Sequence, residues 1–188
     1  MMGSPGGSTE WAADLHLHTV LSPCAEVEMI PPLIVRQASA LGLNLLAVTD
    51  HNSCENAGAV MRAAQASGLH VLPGMEVQTR EEAHILALFD ELAQAMAWQE
   101  IVYEHLPPLS NREEVFGAQY VVDETGDLVT VHPRLFLTAT DLSVEQVVAG
   151  IRKLGGLAIA AHVDRPAYSL LATLGFVPPD LPLDALEL

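Results

Sequence analysis

Short apolar runs alternate with amphipathic stretches along most of this chain. Residues 43–48 are apolar except for Asn44, and residues 157–161 are apolar throughout, which is typical of strands buried on both faces of a sheet. Pro31 and Pro32 stand where a helix begins, and Gly42 stands where that helix ends. The pattern predicts strands near 11–18, 43–49, 69–77 (interrupted by Pro73-Gly74), 84–89, 157–163 and 183–188, helices near 31–41, 55–67, 91–103, 111–119, 144–154 and 166–174, and a hairpin over 120–131.

The order of these elements indicates the fold class. Strands alternate with helices at the start of the chain and again near its end, which predicts a parallel α/β architecture, either a barrel or a doubly wound sheet. Residues 11–188 are expected to form one domain, preceded by a flexible Gly/Ser-rich lead-in over 1–10. The last predicted element is a strand without a closing helix, so the domain is expected to be incomplete at its C-terminus.

Charge narrows the range of partners. The 188 residues include 24 acidic and 8 basic side chains, giving a formal net charge of −16. Seven of the basic residues are scattered arginines and Lys153 is the only lysine, so no basic patch is expected to attract a long nucleic-acid backbone. Without a signal sequence or a membrane-spanning apolar segment, a cytoplasmic location and no membrane partner are expected.

The first motif that suggests a chemical function is Asp14-Leu15-His16-Leu17-His18. Residues two apart on a strand point to the same face, so His16 and His18 are expected to present two imidazoles side by side. Such a pair is a natural ligand set for a divalent ion. Asp14 is expected behind the pair, where a carboxylate could fix a ring tautomer. Two strand histidines without a ligand are the simpler alternative.

Polar residues also follow the later apolar runs. In parallel α/β folds, functional groups gather past the carboxyl ends of the strands, so these side chains are expected to meet at one rim. Asp50 or Asn52 could instead cap the next helix. His84 differs because it begins a run, where a histidine is more often incidental. The candidates are Asp50 and His51 after the second run, Glu76 in the third, His84 in the fourth, and His162, Asp164 and Arg165 after the run over 157–161. Five histidines and Glu76 exceed the needs of one tetrahedral ion, which predicts a multinuclear site.

At these residues the sequence resembles the PHP family, the polymerase and histidinol phosphatase domains, from about Asp14 to the end of the chain. The resemblance rests on the ordered set Asp14-x-His16-x-His18-Thr19, Thr49-Asp50-His51, Gly74-x-Glu76, His84 and Ala161-His162. It implies a distorted (β/α)7 TIM-like barrel with a trinuclear metal site at its C-terminal rim, often of zinc, manganese or iron.

The resemblance also implies a distribution of ligands. One metal is expected on His16, His18 and Glu76, with Glu76 bridging to a second metal on His84 and His162. His51 is expected to belong to a third metal. Cys24 occupies a position where the family often has Asp or His for that metal, so it is either a thiolate ligand or a small buried side chain. The Asp-x-His motif that ends the family's site is absent from this sequence, which leaves either two or three divalent ions.

These observations favour a phosphoesterase that acts on small phosphomonoesters or nucleotides. Metal ions would activate a water molecule for attack on phosphorus, Arg165 would pair with a phosphate oxygen, and Asp50 or Asp164 would transfer the leaving-group proton. A metal-binding or regulatory module without turnover is the main alternative. An amidohydrolase-like enzyme is a weaker one, because its carboxylated lysine would have to be Lys153, which lies in a predicted helix far from the strand ends.

Overall fold

The computed structural model describes residues 10–188, so the predicted lead-in falls, apart from Glu10, outside the described residues. The elements lie close to their predicted positions. The strands are β1 (Ala13–Leu17), β2 (Leu45–Val48), β3 (His70–Gln78), β4 (His84–Leu88), β5 (Tyr120–Val122), β6 (Leu128–Val131), β7 (Leu157–Ala160) and β8 (Ala185–Leu186), and the helices are α1 (Pro31–Ala40), α2 (Ala57–Ala64), α3 (Leu92–His105), α4 (Glu113–Phe116), α5 (Val144–Lys153) and α6 (Leu170–Leu174).

Six of the strands form one mixed sheet in the order β1-β2-β3-β4-β7-β8. β1, β2 and β3 are parallel, β4 is antiparallel to both β3 and β7, and β8 is parallel to β7. The sheet curls strongly into a half-barrel. A distorted barrel is therefore consistent with the structure, while the (β/α)7 count is not confirmed. The expected parallel arrangement holds for β1, β2 and β3 and for β7 with β8, but not for β4.

The reversed direction of β4 explains why its first residue belongs to the site. A short turn after Gln78 sends the chain back along β3, so that His84 pairs in register with Gln78. Because β7 is antiparallel to β4, the end of β7 returns to the same edge, where Ala160 pairs with Ile85. The carboxyl ends of β1, β2, β3 and β7 thus meet the amino end of β4 at one rim.

A bulge in β1 changes the direction of its side chains. Asp14 pairs with Leu46 and Leu17 pairs with Val48, so β1 carries one residue more than β2 over this interval. Such an extra residue breaks the two-residue alternation and re-aims the side chains around it. Asp14 and Leu17 line a groove against α1, whereas His16 lines the cavity at the rim. The prediction that Asp14 stands behind the histidine pair is therefore wrong.

The central strands are buried on both faces, as their continuous apolar sequences predicted. On one face Leu46, Val48 and Ile85 pack into the main core together with residues of the helices. On the other face Ala47 and Leu86 belong to a smaller cluster. The two faces are shielded in different ways, by helices on one side and by the curl of the sheet on the other, and this explains why the strands lack polar alternation.

The predicted cap of α5 is confirmed, whereas the predicted interruption of β3 is not. Ser143 caps α5 in the expected reciprocal arrangement with Gln146. β3 continues without interruption through Pro73-Gly74. A Cβ on Gly74 would stand 2.6 Å from the carbonyl oxygen of Ala87, so glycine permits the close pairing of β3 with β4.

Within residues 10–188, no helix combines the length and the apolar character needed to cross a membrane.

Candidate metal centre

The buried carboxylate of Glu76 stands at the centre of the rim, and five imidazoles surround it. Glu76 is held in place by the backbone, since its N–H donates to the carbonyl oxygen of Asp50 at 3.0 Å and its own carbonyl accepts from the N–H of Asn52 at 2.9 Å. The imidazole nitrogens lie at short distances from its two oxygens: His84 Nδ1 at 2.8 Å, His51 Nδ1 at 3.0 Å, His162 Nε2 at 3.1 Å, His16 Nε2 at 3.2 Å and His18 Nε2 at 3.3 Å. The structure thus brings together all five histidines and the glutamate that the sequence had predicted to converge.

The electrostatics of the cluster follow from this crowding. Burial alone would raise the pKa of Glu76, but hydrogen bonds from His16, His162, His18 and His51 hold its pKa well below the usual value. Burial lowers the pKa of His51 despite its contact with Glu76. Burial also opposes charge on His16, yet its hydrogen bonds and charge interactions with Glu76 and Glu187 raise its pKa to about 9. The carboxylate is therefore ionised across the physiological range.

The donor set fits divalent cations. The Nε2 atoms of His16 and His18 face each other at 3.2 Å, an arrangement in which two lone pairs can point at one ion. His162 presents its Nε2 to Glu76 at 3.1 Å, and its buried Nδ1 has no hydrogen-bond partner within the described part of the chain. Three groups hold donor atoms within 4.8 Å of one another, namely His16, His18 and Glu76; His51, Glu76 and His84; and His18, Cys24 and His51. This mixture of imidazole, carboxylate and thiol groups could bind metal ions.

A hydrogen-bonded network behind the rim explains the buried Asp50. One Asp50 oxygen accepts from the backbone N–H of Thr19 and from the Ser22 hydroxyl, each at 2.7 Å, and the other accepts from the Thr19 hydroxyl at 2.7 Å. The Ser22 hydroxyl donates its only proton to Asp50, so towards His18 it can only accept. Nδ1 of His18, which lies 3.1 Å from Ser22 Oγ, is therefore the donor in that contact. In a neutral His18 ring, a proton on Nδ1 leaves the lone pair of Nε2 available to an ion at the rim. Asp50 is therefore well placed to position His18.

Asn52 contributes to the framework rather than to a helix cap. Its side-chain amide donates to the carbonyl oxygens of Phe136 and Thr138, each at 2.8 Å, and its oxygen accepts from the N–H of Gln78 at 3.1 Å. The N-cap of α2 is Asn56, without a capping side-chain hydrogen bond. The alternative that Asp50 or Asn52 caps the following helix is therefore wrong.

Cys24 lies at the edge of the cluster. Its Sγ stands 3.5 Å from Nε2 of His51, and the residue is exposed rather than buried. Although the residue as a whole is exposed, its thiol group is partly buried against the cluster, and this burial, followed by the charges of Glu76 and Asp50, raises the pKa of the thiol. A thiolate there therefore requires a compensating cation. The position is suited to a ligand and does not match the alternative of a small buried cysteine.

Replacing Cys24 with Asp is expected to change the metal preference. A thiolate favours zinc or iron, whereas a carboxylate favours harder ions such as manganese. We expect the ratio of manganese-supported to zinc-supported phosphoesterase activity to rise about tenfold in Cys24→Asp. Initial rates in metal-depleted buffer with one added ion measure this ratio. Cys54→Ala, which removes a thiol outside the cavity, is the control, and an equal ratio in both variants would contradict a ligand role for Cys24.

A cavity of about 790 Å³ opens above the cluster, within the range of small-ligand sites. Arg165 lines this cavity, together with Phe116 and Tyr168. Asp164 is exposed and does not belong to the lining residues that the structure describes. The structure thus brings Arg165 to the mouth of the predicted site and leaves Asp164 beside it.

Three residues of the site were not predicted from the sequence. Tyr168 stacks on His84 with 4.9 Å between ring centroids and has a left-handed backbone with φ of 58°, a strained conformation that often marks a functional position. Ser22 joins His18 to Asp50, as described above. Glu187 contacts Nδ1 of His16 at 2.9 Å. Glu187 follows an apolar strand, so the rule that identified Asp50 and His162 could also have found it.

A curled α/β sheet that gathers five histidines and a glutamate at one rim defines an α/β protein with a candidate metal centre. The sequence profile of the PHP domain matches residues 14–119, which is more than half of the chain. The chain belongs to the PHP domain family. An uncharacterized protein of Methanocaldococcus jannaschii is 25% identical over 183 residues, covering 93% of this chain and 79% of that protein.

Solved structures share the fold. Endonuclease Q from Pyrococcus furiosus, a lesion-specific endonuclease, superposes with a TM-score of 0.68 at 22% identity over 93% of this chain, which spans 40% of that enzyme. A protein of Bifidobacterium adolescentis, to which a metal-dependent phosphoesterase activity is ascribed, gives a TM-score of 0.61 at 21% identity over 94% of this chain and 77% of its own. A complex of endonuclease Q with a 27-mer duplex carries an abasic lesion at the active site and gives a TM-score of 0.63.

Proposed function

We propose that this protein hydrolyses the phosphate esters of small molecules, nucleotides among them, with two or three bound divalent ions. The convergence of five imidazoles on the buried Glu76 carboxylate beneath an open cavity carries this proposal. Membership of the PHP family and the likeness to a lesion-specific endonuclease and to a protein described as a metal-dependent phosphoesterase support it.

The proposed ligands divide into overlapping sets. His16 and His18 with Glu76 form one set, and His84 and His162 share Glu76 in a second. His51 and Cys24 form the third, at the edge of the cavity. The ions would be zinc, manganese or iron, in keeping with imidazole and thiolate ligands. Bound divalent ions at such a site supply Lewis acidity and lower the pKa of water, so that no serine or cysteine nucleophile is needed.

Arg165 provides the cationic group that recognises the phosphate. The charge of the chain is −16, so a phosphorylated substrate needs a local attraction to enter. A guanidinium pairs with two phosphate oxygens at once and remains charged at all relevant pH values. We assign Arg165 to orienting the phosphoryl group over the cluster and to balancing the charge that grows on its oxygens.

The leaving group of the ester would lie against the aromatic side of the cavity. Tyr168 is 49% exposed and lines the opening together with Phe116. A planar base can stack on such a ring with a gain of about 1–3 kcal/mol. This wall favours a nucleotide over an aliphatic phosphate ester.

Asp50 and Asp164 are the two predicted donors of a proton to the leaving group. Asp50 is fully buried and both of its oxygens accept hydrogen bonds, which suits positioning better than proton transfer. Asp164 is exposed next to Arg165 in the sequence but does not line the cavity, so of the two predicted acids it alone is accessible to solvent for proton transfer. The assignment of Asp164 stays a prediction.

A nucleic-acid substrate is the second candidate. Endonuclease Q binds duplex DNA with its abasic lesion at the active site, so a related rim can accommodate DNA. This chain spans 40% of the length of that enzyme and has 24 acidic against 8 basic residues, which opposes binding of a long polyanion. We therefore rank short or small phosphate esters above duplex DNA.

A substrate panel tests the proposal. Metal-depleted protein would be assayed with zinc, manganese or iron(II) and with nucleoside monophosphates, aliphatic phosphomonoesters and an abasic-site duplex. We expect release of phosphate from the small esters and a fall in kcat/KM of about 10–100-fold in Arg165→Ala, equivalent to ~1.4–2.7 kcal/mol of transition-state stabilisation. Arg36→Ala, an exposed arginine outside the cavity, is the matched control and should retain the wild-type kcat/KM.

The outcomes separate the competing functions. Phosphate release that depends on Arg165 supports the proposal, whereas cleavage of the duplex alone favours an endonuclease. Tight metal binding without turnover of any substrate would contradict hydrolysis and leave the regulatory metal-binding module as the function of this site.

A further inference from the structure

Glu187 is fixed at the rim by the backbone of the neighbouring strand. Its N–H donates to the carbonyl oxygen of Ala160 at 2.9 Å, and its own carbonyl accepts from the N–H of Val163 at 2.9 Å. These two bonds continue the pairing of β7 with β8 by one residue. The carboxylate therefore projects from a defined backbone position.

The Glu187 carboxylate joins two histidines of the cluster. Its oxygens lie 2.9 Å and 3.1 Å from Nδ1 of His16, and Oε2 also accepts from the backbone N–H of His162 at 2.9 Å. Both partners are N–H donors, so a carboxylate satisfies them together. The contact also connects β1 to the end of β8, the two outer strands of the six-stranded sheet.

The opposite nitrogen of His16 faces the metal centre. His16 Nε2 lies 3.2 Å from Glu76 and 3.2 Å from Nε2 of His18. A proton held on Nδ1 by Glu187 leaves the Nε2 lone pair free for an ion. His162 has a positive φ of 31°, which is unfavourable for a residue with a side chain, and the Glu187 bond to its N–H supports that backbone.

We propose that Glu187 is a positioning residue that orients His16 and His162 and thereby sets the metal affinity of this rim. A carboxylate on the second nitrogen of a ligand histidine fixes its tautomer and increases its basicity. His18 has a neutral partner in the same place, the Ser22 hydroxyl. Glu187 thus takes the role that the sequence analysis had expected of Asp14.

Glu187 acts through His16 rather than as a ligand. The donor group that contains His16 is completed by His18 and Glu76, and both lie on the Nε2 side of the His16 ring. Its carboxylate instead contacts the side of His16 that faces away from His18. Loss of Glu187 should consequently weaken binding while the number of bound ions stays the same.

A zinc titration tests this role without substrate. The full metal-free chain would be titrated with zinc in competition with a chromogenic chelator, for the wild type, Glu187→Ala and Glu187→Gln. We expect Glu187→Ala to weaken zinc binding about 10–100-fold. Glu187→Gln keeps an oxygen that can accept both N–H groups and should recover most of this loss, remaining about 3–10-fold weaker than the wild type because the negative charge is gone.

The matched control is Asp180→Ala, which removes an exposed carboxylate from the same C-terminal segment and should leave zinc affinity unchanged. In zinc-loaded protein, a downfield His16 Nδ1 proton signal in the NMR spectrum should be present in the wild type and absent from Glu187→Ala. If Glu187→Ala fails to fold, the zinc affinity of Glu187→Gln alone tests the inference. Wild-type affinity in Glu187→Gln, or in a folded Glu187→Ala, would overturn the inference. A lack of phosphoesterase activity would not overturn the inference about Glu187, because the zinc titration measures metal binding and contains no ester.

Discussion

Replacement of Glu76 with Gln is expected to abolish metal-supported phosphoesterase activity, with a fall in kcat/KM of about 10³-fold or more, or ~4 kcal/mol. The change preserves the shape of the side chain but removes the one charge that five imidazoles share. An amide ligates divalent ions poorly and cannot bridge two of them as a carboxylate does. Initial rates on the best phosphomonoester and metal content per chain measure both effects.

Glu104→Gln is the control for the loss of a carboxylate, because Glu104 is exposed on α3 and should retain activity and metal content. Thermal unfolding of both variants shows whether the fold survives. A folded Glu76→Gln protein that keeps the wild-type rate and metal content would exclude Glu76 as the centre of the site. A rate loss with unchanged metal content would assign Glu76 to catalysis and not to metal binding.

Removal of metal is expected to eliminate activity and to lower thermal stability. An ion that binds only the folded state at 100 times its Kd stabilises that state by about 2.7 kcal/mol, which corresponds to roughly 5–11 °C in Tm for a domain of this size. Chelation should therefore lower Tm by this amount, and added zinc or manganese should restore both Tm and activity. Differential scanning calorimetry with and without chelator measures the shift.

The metal-dependent part of the stability should increase with pH. Although burial opposes a positive charge on the ring, Glu76 and Glu187 raise the pKa of His16 to about 9 in the metal-free protein. An ion must therefore displace a proton from this ring at neutral pH. Affinity therefore rises as the pH approaches 9 and falls as the pH is lowered. A Tm difference that is equal at pH 6 and pH 8 would show that His16 is not a ligand.

Much of the site could be predicted because each polar residue follows or begins an apolar run. His16, His18, His51, Glu76 and His162 stand out against their strands, and the structure gathers these four histidines around the carboxylate of Glu76. The positions of most helices and strands were also close, since proline, glycine and a capping serine mark their ends. These are local signals, and they depend on neighbours only a few residues away.

The errors concern long-range arrangement. The placement of Asp14 failed because a bulge in β1 inserts a residue and breaks the alternation. The prediction of a parallel arrangement was wrong at β4, because this strand turns back along β3. The position of Glu187 after a short apolar strand could have marked it as a candidate, but its role could not be predicted because its partner His16 lies 171 residues away in the sequence. Tyr168 was missed because its contact with His84 depends on a loop conformation with positive φ.

The sequence by itself determined which side chains could bind metal and that they cluster at strand ends, because hydrophobic patterning and local turn chemistry are written in adjacent residues. Only the tertiary structure decided which nitrogen of each imidazole faces the centre and which partner holds the other one. It also decided that a strand-starting His84 joins the rim. Those properties arise from strand direction, a single inserted residue and contacts across the curled sheet, none of which has a short-range signature.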